Sequence, residues 1–171
     1  MKQQDLLVRA WLASGVYMTT TLVLIGGGPS PGTAAENAMR ARIRSLLLGY
    51  PRARSRFAFL PALPNESVRR LQRALADPAN GIRPWYVYPS AKEEFGIAVL
   101  EAMEAGLPAA GPRRGGVTHY LRDGVNGILL DTSSAAGLES GLRKMAALPE
   151  RERERFARAG RDLSPRATRS M

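Results

Sequence analysis

Trp85–Gly111 reads WYVYPSAKEEFGIAVLEAMEAGLPAAG. An aromatic and β-branched run, Trp85–Ser90, is halted by Pro89 and reads as a strand. Gly96 opens a helix running to about Ala105, and Pro108–Gly111 returns as a second short strand. A strand, a helix and another strand in so short a span predict a parallel crossover. Upstream, Leu22–Gly26 (LVLIG) and Arg56–Leu60 (RFAFL) have the same apolar strand character. Helical spacing links them: residues 3–14 carry Leu6, Leu7, Ala10 and Trp11, and residues 34–48 carry Met39, Ile43, Leu46 and Leu47. Asn65 is expected to cap a helix bearing Val68, Leu71 and Leu75. Downstream come a short helix near Gly116–Arg122, a strand at Gly127–Leu130 and helices beyond Ser134. Strands alternating with helices predict an α/β fold, a Rossmann-like doubly wound parallel sheet with both faces covered.

The composition supports one domain of ordinary size: of 171 residues, 44% are hydrophobic and 23% charged, enough for a single core. There is no cysteine, which removes disulfides, thiol nucleophiles and cysteine metal sites, and suits a reducing cytoplasm. Residues 10–35 are uncharged, but Ser14, Gly15, four threonines and the glycine run at 26–28 break them up, so they do not read as a membrane span. The unusual feature is charge. Twenty-five basic against 15 acidic residues give +10, and 22 of the basic residues are arginine, grouped loosely at Arg40–Arg56 and Arg151–Arg169. Solvated helix faces account for such a bias; phosphate, nucleic acid or an anionic membrane surface would also be attracted by it.

The chemistry concentrates in Ser90–Pro108. Glu93 and Glu101 have seven residues between them, one in the loop and one inside the helix. Gly96, at the helix entrance, lets a ligand approach the amides of Phe95, Gly96 and Ile97, where the helix dipole favours a diphosphate. The two carboxylates must face neutral hydrogen-bond donors, and vicinal sugar hydroxyls have that chemistry. A rise of about 1.5 Å per helical residue sets the pair roughly 10 Å apart, the span from a hexose to a ribose across a diphosphate. A glycosidase pair would instead flank the scissile bond from facing elements. The lone histidine, His119, reads as a surface or cap residue. GGGPSPG at 26–32 lacks both the third glycine of a dinucleotide loop and a following Lys-Ser/Thr. Arg113 and Arg114 precede glycine amides that could face a donor, or are ordinary surface charge.

From Lys2 to about Met145 the chain resembles the donor-binding, C-terminal half of the GT-B retaining glycosyltransferases of the glycogen-synthase and sucrose-synthase type, the family 4 group. EEFGIAVLE, AMEAGLP, GPRRGGV and DGVNGILL carry the resemblance in order, flanked by LVLIGGG and VYPS. It implies transfer of a hexose from a nucleoside diphosphate sugar to an unidentified acceptor. Glu93 would hold hexose hydroxyls, Glu101 the ribose hydroxyls, and Phe95, Gly96 and Ile97 would offer amides. Lys2 would sit on the diphosphate and, with Glu93, act catalytically. Backbone around Leu60–Ala62 would meet the nucleobase. No metal or other cofactor is implied. Glu94 departs from the family's usual glycine, and Thr118-His119 from its Pro-Glu.

The resemblance also sets expectations for organisation. Residues 1–148 form a nucleotide-sugar-binding half-domain, 149–171 a C-terminal helix and basic tail, and the acceptor domain is absent. In the sheet order 3-2-1-4-5-6 the first, central strand, between LVLIG and WYVYPS, is expected to be lacking. The chain alone is then expected to be poorly stable and nearly inactive, unless another element fills the slot or the start is misplaced or the frame truncated; another chain could supply the missing N-terminal domain. Two other classes stay open: a non-enzymatic basic binding module, disfavoured for nucleic acid because few aromatics interleave with the arginines, and a nucleotide-sugar epimerase. The expected location is cytoplasmic, with peripheral membrane contact left open.

Overall fold

The computed structural model describes residues 3–26, 32–91 and 95–167. Its elements, in order, are α1 (Gln4–Ala13), β1 (Leu22–Ile25), α2 (Ala34–Leu48), α3 (Pro51–Arg54), β2 (Phe57–Leu60), α4 (Asn65–Ala76), β3 (Tyr86–Val87), α5 (Ile97–Glu104), β4 (Ala109–Pro112), β5 (Gly127–Leu130), α6 (Ala135–Ala146) and α7 (Glu150–Ala167). Every strand pairing is parallel, as the crossovers require. The pairing is nevertheless split in two: β1 pairs with β2, and β3, β4 and β5 form a second sheet in that order. No strand among the described residues joins β1 to β3. This is the position where the sequence led us to expect a gap.

One core holds the two sheets together. Leu7, Val8, Ala10, Trp11 and Leu12 of α1 pack in the same buried cluster as Leu24 of β1, Ala110 of β4, and Ile128 and Leu130 of β5. Each fully buried Leu, Val or Ile contributes about 1.5–3 kcal/mol relative to an exposed one. Side chains alternate across a strand, so β4 sends Ala110 into this cluster and Ala109 into a second one on its other face. That second cluster gathers Val99 and Met103 of α5, Val117, Tyr120 and Leu121. Helix α7 docks by Phe156, which is buried against the edge of the Trp85 ring at 6.3 Å.

Several sequence expectations need correction. The sheet is not covered throughout: on β1, Val23 is 45% exposed, and all four residues of β2 are only half-buried. Asn65 does not cap α4. Pro64 is extended, with ψ 143, and its carbonyl accepts from Val68 N, so Asn65 is the first helical residue and makes no capping bond. The Trp85–Ser90 strand shrinks to Tyr86–Val87. Tyr88 N still reaches Ala110 O, but Pro89 has no N–H to continue the ladder. The short helix near Gly116–Arg122 is a single 3₁₀ turn, Gly116–His119. Conversely, α2 starts with an unanticipated capping box: Thr33 Oγ1 accepts from Glu36 N, and Glu36 Oε2 accepts from Thr33 N at 2.8 Å.

Within DGVNGILL, Asn126 is fully buried and serves both directions of the backbone around it. Its Oδ1 accepts from Arg122 N at 2.7 Å and its Nδ2 donates to Tyr120 O at 2.8 Å. Asn126→Ala leaves both groups unpaired, and at about 1–3 kcal/mol each the expected loss is roughly 2–6 kcal/mol in a denaturant unfolding experiment. A loss below about 0.5 kcal/mol, the range of ordinary surface changes, contradicts this account of the loop.

Candidate functional site

Because β3 and β4 are parallel, the segments leaving their carboxyl ends, at 88–91 and 113–116, lie at one edge of the sheet. Helix α5 begins there. Gly96 precedes it in the left-handed conformation, φ 78 and ψ 45, which a side chain disfavours. Among the described residues, the first amide of the helix to find a carbonyl is Val99, which donates to Gly96 O at 2.8 Å. The N–H groups ahead of it form the positive end of the helix dipole.

The backbone entering α5 is held from behind. The Tyr120 hydroxyl lies 2.9 Å from Phe95 O and 2.8 Å from Gly96 O and donates to this carbonyl pair. The Phe95 and Tyr120 rings pack at 5.7 Å. At the end of β3, Ser90 is buried, and its carbonyl accepts from Thr132 Oγ1 at 2.8 Å, tying this edge to the end of β5. Gly96 is buried, Phe95 half-buried, and Ile97 exposed at 62%, an apolar side chain standing at the helix tip.

Glu101 lies on α5 one turn beyond the helix start, with 29% of its side chain exposed. Its Oε1 accepts from Arg69 Nη2 of α4 at 3.1 Å. Arg69, Arg73, Glu101, Glu104 and Ala105 line a small depression between α4 and α5. An ion pair this exposed adds at most about 1 kcal/mol, so Arg69 matters for how it aims the carboxylate. Helix α4 follows directly on the Leu60–Pro64 loop, where Leu60 is half-buried and Ala62 exposed. The pair therefore ties the element after β2 to α5, across the split between the sheets.

The structure thus brings Phe95, Gly96, Ile97 and Glu101 onto one helix start, with Leu60 and Ala62 at the end of β2. Lys2 and Glu93 lie outside the described residues, as does most of the glycine run at 26–32. His119 is exposed at the end of its 3₁₀ turn. Arg113 is exposed and donates from Nε to Leu129 O at 3.3 Å. At the end of β5, the Ser133 hydroxyl and then the Ser133 amide hold the Asp131 carboxyl below the ordinary carboxylate range, with smaller help from the Arg113 and Arg114 charges. Asp131 is therefore ionised at neutral pH. Among the described residues, no group of three His, Cys, Asp or Glu side chains gathers as a metal site, and no helix is long and apolar enough to cross a membrane. Arg69 and Tyr120 were not picked out from the sequence. Their roles arise from contacts over 32 and 24 or more residues that no local pattern announces.

Comparison with known proteins gives the family and the fold. Residues 1–163 match the family described as glycosyl transferases group 1. The chain is 31% identical over 137 residues to a sucrose synthase of Acidithiobacillus caldus, covering 78% of this chain and 16% of that protein. It is 32% identical over 136 residues to a D-inositol 3-phosphate glycosyltransferase of Acidothermus cellulolyticus, covering 77% of this chain and 28% of that one. Among solved structures, the C-terminal domain of LpcC, a group 1 glycosyl transferase family protein of Francisella tularensis, superposes with a TM-score of 0.78 at 20% identity, over 98% of this chain and 80% of that domain. Anabaena HepE in complex with UDP and glucose superposes with a TM-score of 0.75 at 19% identity, over 96% of this chain and 40% of that one. The fold is that of the C-terminal, Rossmann-like domain of GT-B glycosyltransferases, and the chain spans a minor part of the curated relatives it matches.

Gly96→Ala places a side chain in the left-handed region, at a cost of roughly 1–2 kcal/mol. The expected outcome is a matching drop in unfolding free energy, with faster amide exchange at residues 96–99. Unchanged stability and exchange contradict the geometry drawn for the start of α5.

Proposed function

Since the chain belongs to the group 1 glycosyl transferases, an enzyme family, we propose that it is the donor-binding half of a retaining hexosyltransferase using a nucleoside diphosphate sugar. The observation that carries this reading is the pairing of the helix start at Gly96 with Glu101 on the same helix. The amides of α5 receive the diphosphate, and Glu101, aimed by Arg69, accepts hydrogen bonds from the ribose hydroxyls. Glu93 holds the hexose. Lys2 meets the phosphates, and backbone at Leu60–Ala62 borders the base. That HepE is solved with UDP and glucose supports the donor class.

In the proposed reaction the bond between the anomeric carbon and the β-phosphate oxygen breaks, and an acceptor hydroxyl takes the sugar with retention. Negative charge grows on the departing diphosphate, so fixed amide dipoles and a cation lower the barrier. No metal is needed for this. The acceptor half comes from residues beyond this span or from a second chain, and the span alone binds donor but transfers slowly. The cytoplasm is the proposed location.

Titration calorimetry with UDP, GDP and ADP tests the donor reading. At least one nucleotide is expected to bind, and Glu101→Gln is expected to weaken it about tenfold or more, since hydrogen bonds to charged groups are worth about 1.5–3 kcal/mol. The 2′,3′-dideoxy form of the same nucleotide, which lacks both ribose hydroxyls, should bind the wild type and Glu101→Gln with nearly equal affinity. Failure of all three nucleotides to bind, or an unchanged affinity for Glu101→Gln, contradicts the proposal.

A further inference from the structure

Residues 37–65 contain six arginines and no acidic residue. Two of the six are engaged within the protein: the Arg40 guanidinium lies 4.4 Å from the Phe59 ring centroid, and Arg42 pairs with Asp5 of α1 at 3.0 Å. The other four, Arg44, Arg52, Arg54 and Arg56, are exposed, and none meets a carboxylate among the described residues. Elsewhere many arginines do meet one, including Arg69, Arg70, Arg83, Arg143, Arg153 and Arg155. General arginine richness therefore does not explain this corner, which concentrates unneutralised charge between the end of α2 and the start of β2.

The same corner exposes apolar surface. Leu48 is 71% exposed, the highest value among the large hydrophobic side chains described, with Met18 at 43% and Tyr50 at 39%. Leu48 follows Arg44 by one helical turn, so the two share a face of α2. The Tyr50 ring meets the Tyr17 ring edge-on at 5.7 Å, and Tyr17, Gly49, Tyr50, Pro51 and Arg52 line one open groove. Singly exposed apolar side chains are ordinary, but here three of them, Met18, Leu48 and Tyr50, share a corner with four exposed arginines that meet no carboxylate among the described residues. An anionic lipid surface satisfies both parts at once: guanidinium groups take headgroup phosphates, and Leu48 and Tyr50 enter the interface, where tyrosine is favoured. Single-stranded nucleic acid is less suited, because Leu48 offers no stacking face and Tyr50 is already packed against Tyr17.

We propose that the α2–α3 corner docks this protein on an anionic lipid bilayer. Helix α3 leads into the amino end of β2, so the corner sits at the opposite edge of the sheet from the carboxyl ends of the strands. Docking there leaves the start of α5 open. The inference is independent of the donor reading, since it uses neither the residues nor the chemistry of that site.

Flotation of the 171-residue chain with vesicles tests it, using phosphatidylcholine alone and phosphatidylcholine with 30% phosphatidylglycerol (about 0.1 M salt, near physiological screening). The wild type is expected to float with the anionic vesicles and not with the neutral ones. Arg52→Gln/Arg54→Gln should lower binding by about tenfold or more, whereas Arg151→Gln/Arg158→Gln on α7, an equal loss of charge, should leave it within about twofold. Leu48→Trp should show a blue-shifted emission component on anionic vesicles. All these positions are exposed, and circular dichroism verifies that each variant keeps the wild-type fold. The proposal is overturned if the wild type does not float, if both double variants lose binding equally, or if Leu48→Trp emission does not shift. It is also overturned if a DNA oligonucleotide displaces the chain from vesicles while Leu48→Ser/Tyr50→Ser binds DNA and vesicles like the wild type.

Discussion

The first amides of a helix have no intrahelical partners, and what fixes their direction is the backbone that leads into them. Here that backbone is held by the Tyr120 hydroxyl on the carbonyls of Phe95 and Gly96. Tyr120 is fixed in turn by Asn126, whose amide donates to its carbonyl from a fully buried position. The relay runs from the loop before β5, through one phenol, to the start of α5. It costs little in sequence, and it turns Phe95 and Gly96 so that their oxygens face protein. Gly96 sits in the left-handed conformation at this point, with φ 78 and ψ 45.

Holding that start in place also demands a rigid platform, and the platform is divided. Two parallel sheets share one core instead of one continuous ladder, with α1 supplying much of the material between them. The Asp5–Arg42 pair joins α1 to α2, and Arg143 of α6 donates to Ser14 O at the end of α1. Between β1 and β3 no hydrogen-bonded strand is described, so side-chain packing carries the load that a ladder carries elsewhere. Parallel strands depend on cover from both faces and from neighbours. The half-buried residues of β2 and the exposed Val23 show where cover is thin. The Arg69–Glu101 pair crosses the same divide on the side of the candidate site.

Much of this was legible from residue order. Apolar runs bounded by glycine and proline located four of the five strands to within a residue at either end, because short buried strands are set by local composition. The fifth, at Trp85–Ser90, was overestimated: aromatic residues continue through Tyr88, but hydrogen bonding ends where Pro89 withholds its N–H. Asn65 was misjudged because a favourable capping residue sat beside a proline whose own geometry already began the helix. At the candidate site, the glycine and the helix start followed from spacing, since left-handed turns select glycine. Arg69 and Tyr120 did not. Their side chains act on backbone and carboxylate far away in sequence, and only the packing of α4 and of the 3₁₀ turn against α5 decides which arginine or tyrosine arrives there.

The central claim is that the start of α5 receives the phosphates of a nucleotide. Backbone amide shifts of the ¹⁵N-labelled chain, followed during titration with UDP, GDP or ADP, report on it most directly. The account predicts saturable shifts centred on Gly96, Ile97 and Ala98 and extending to the amide of Glu101, with little change in α7. Shifts confined to the arginine-rich corner of α2 and α3, or scattered without saturation, contradict it.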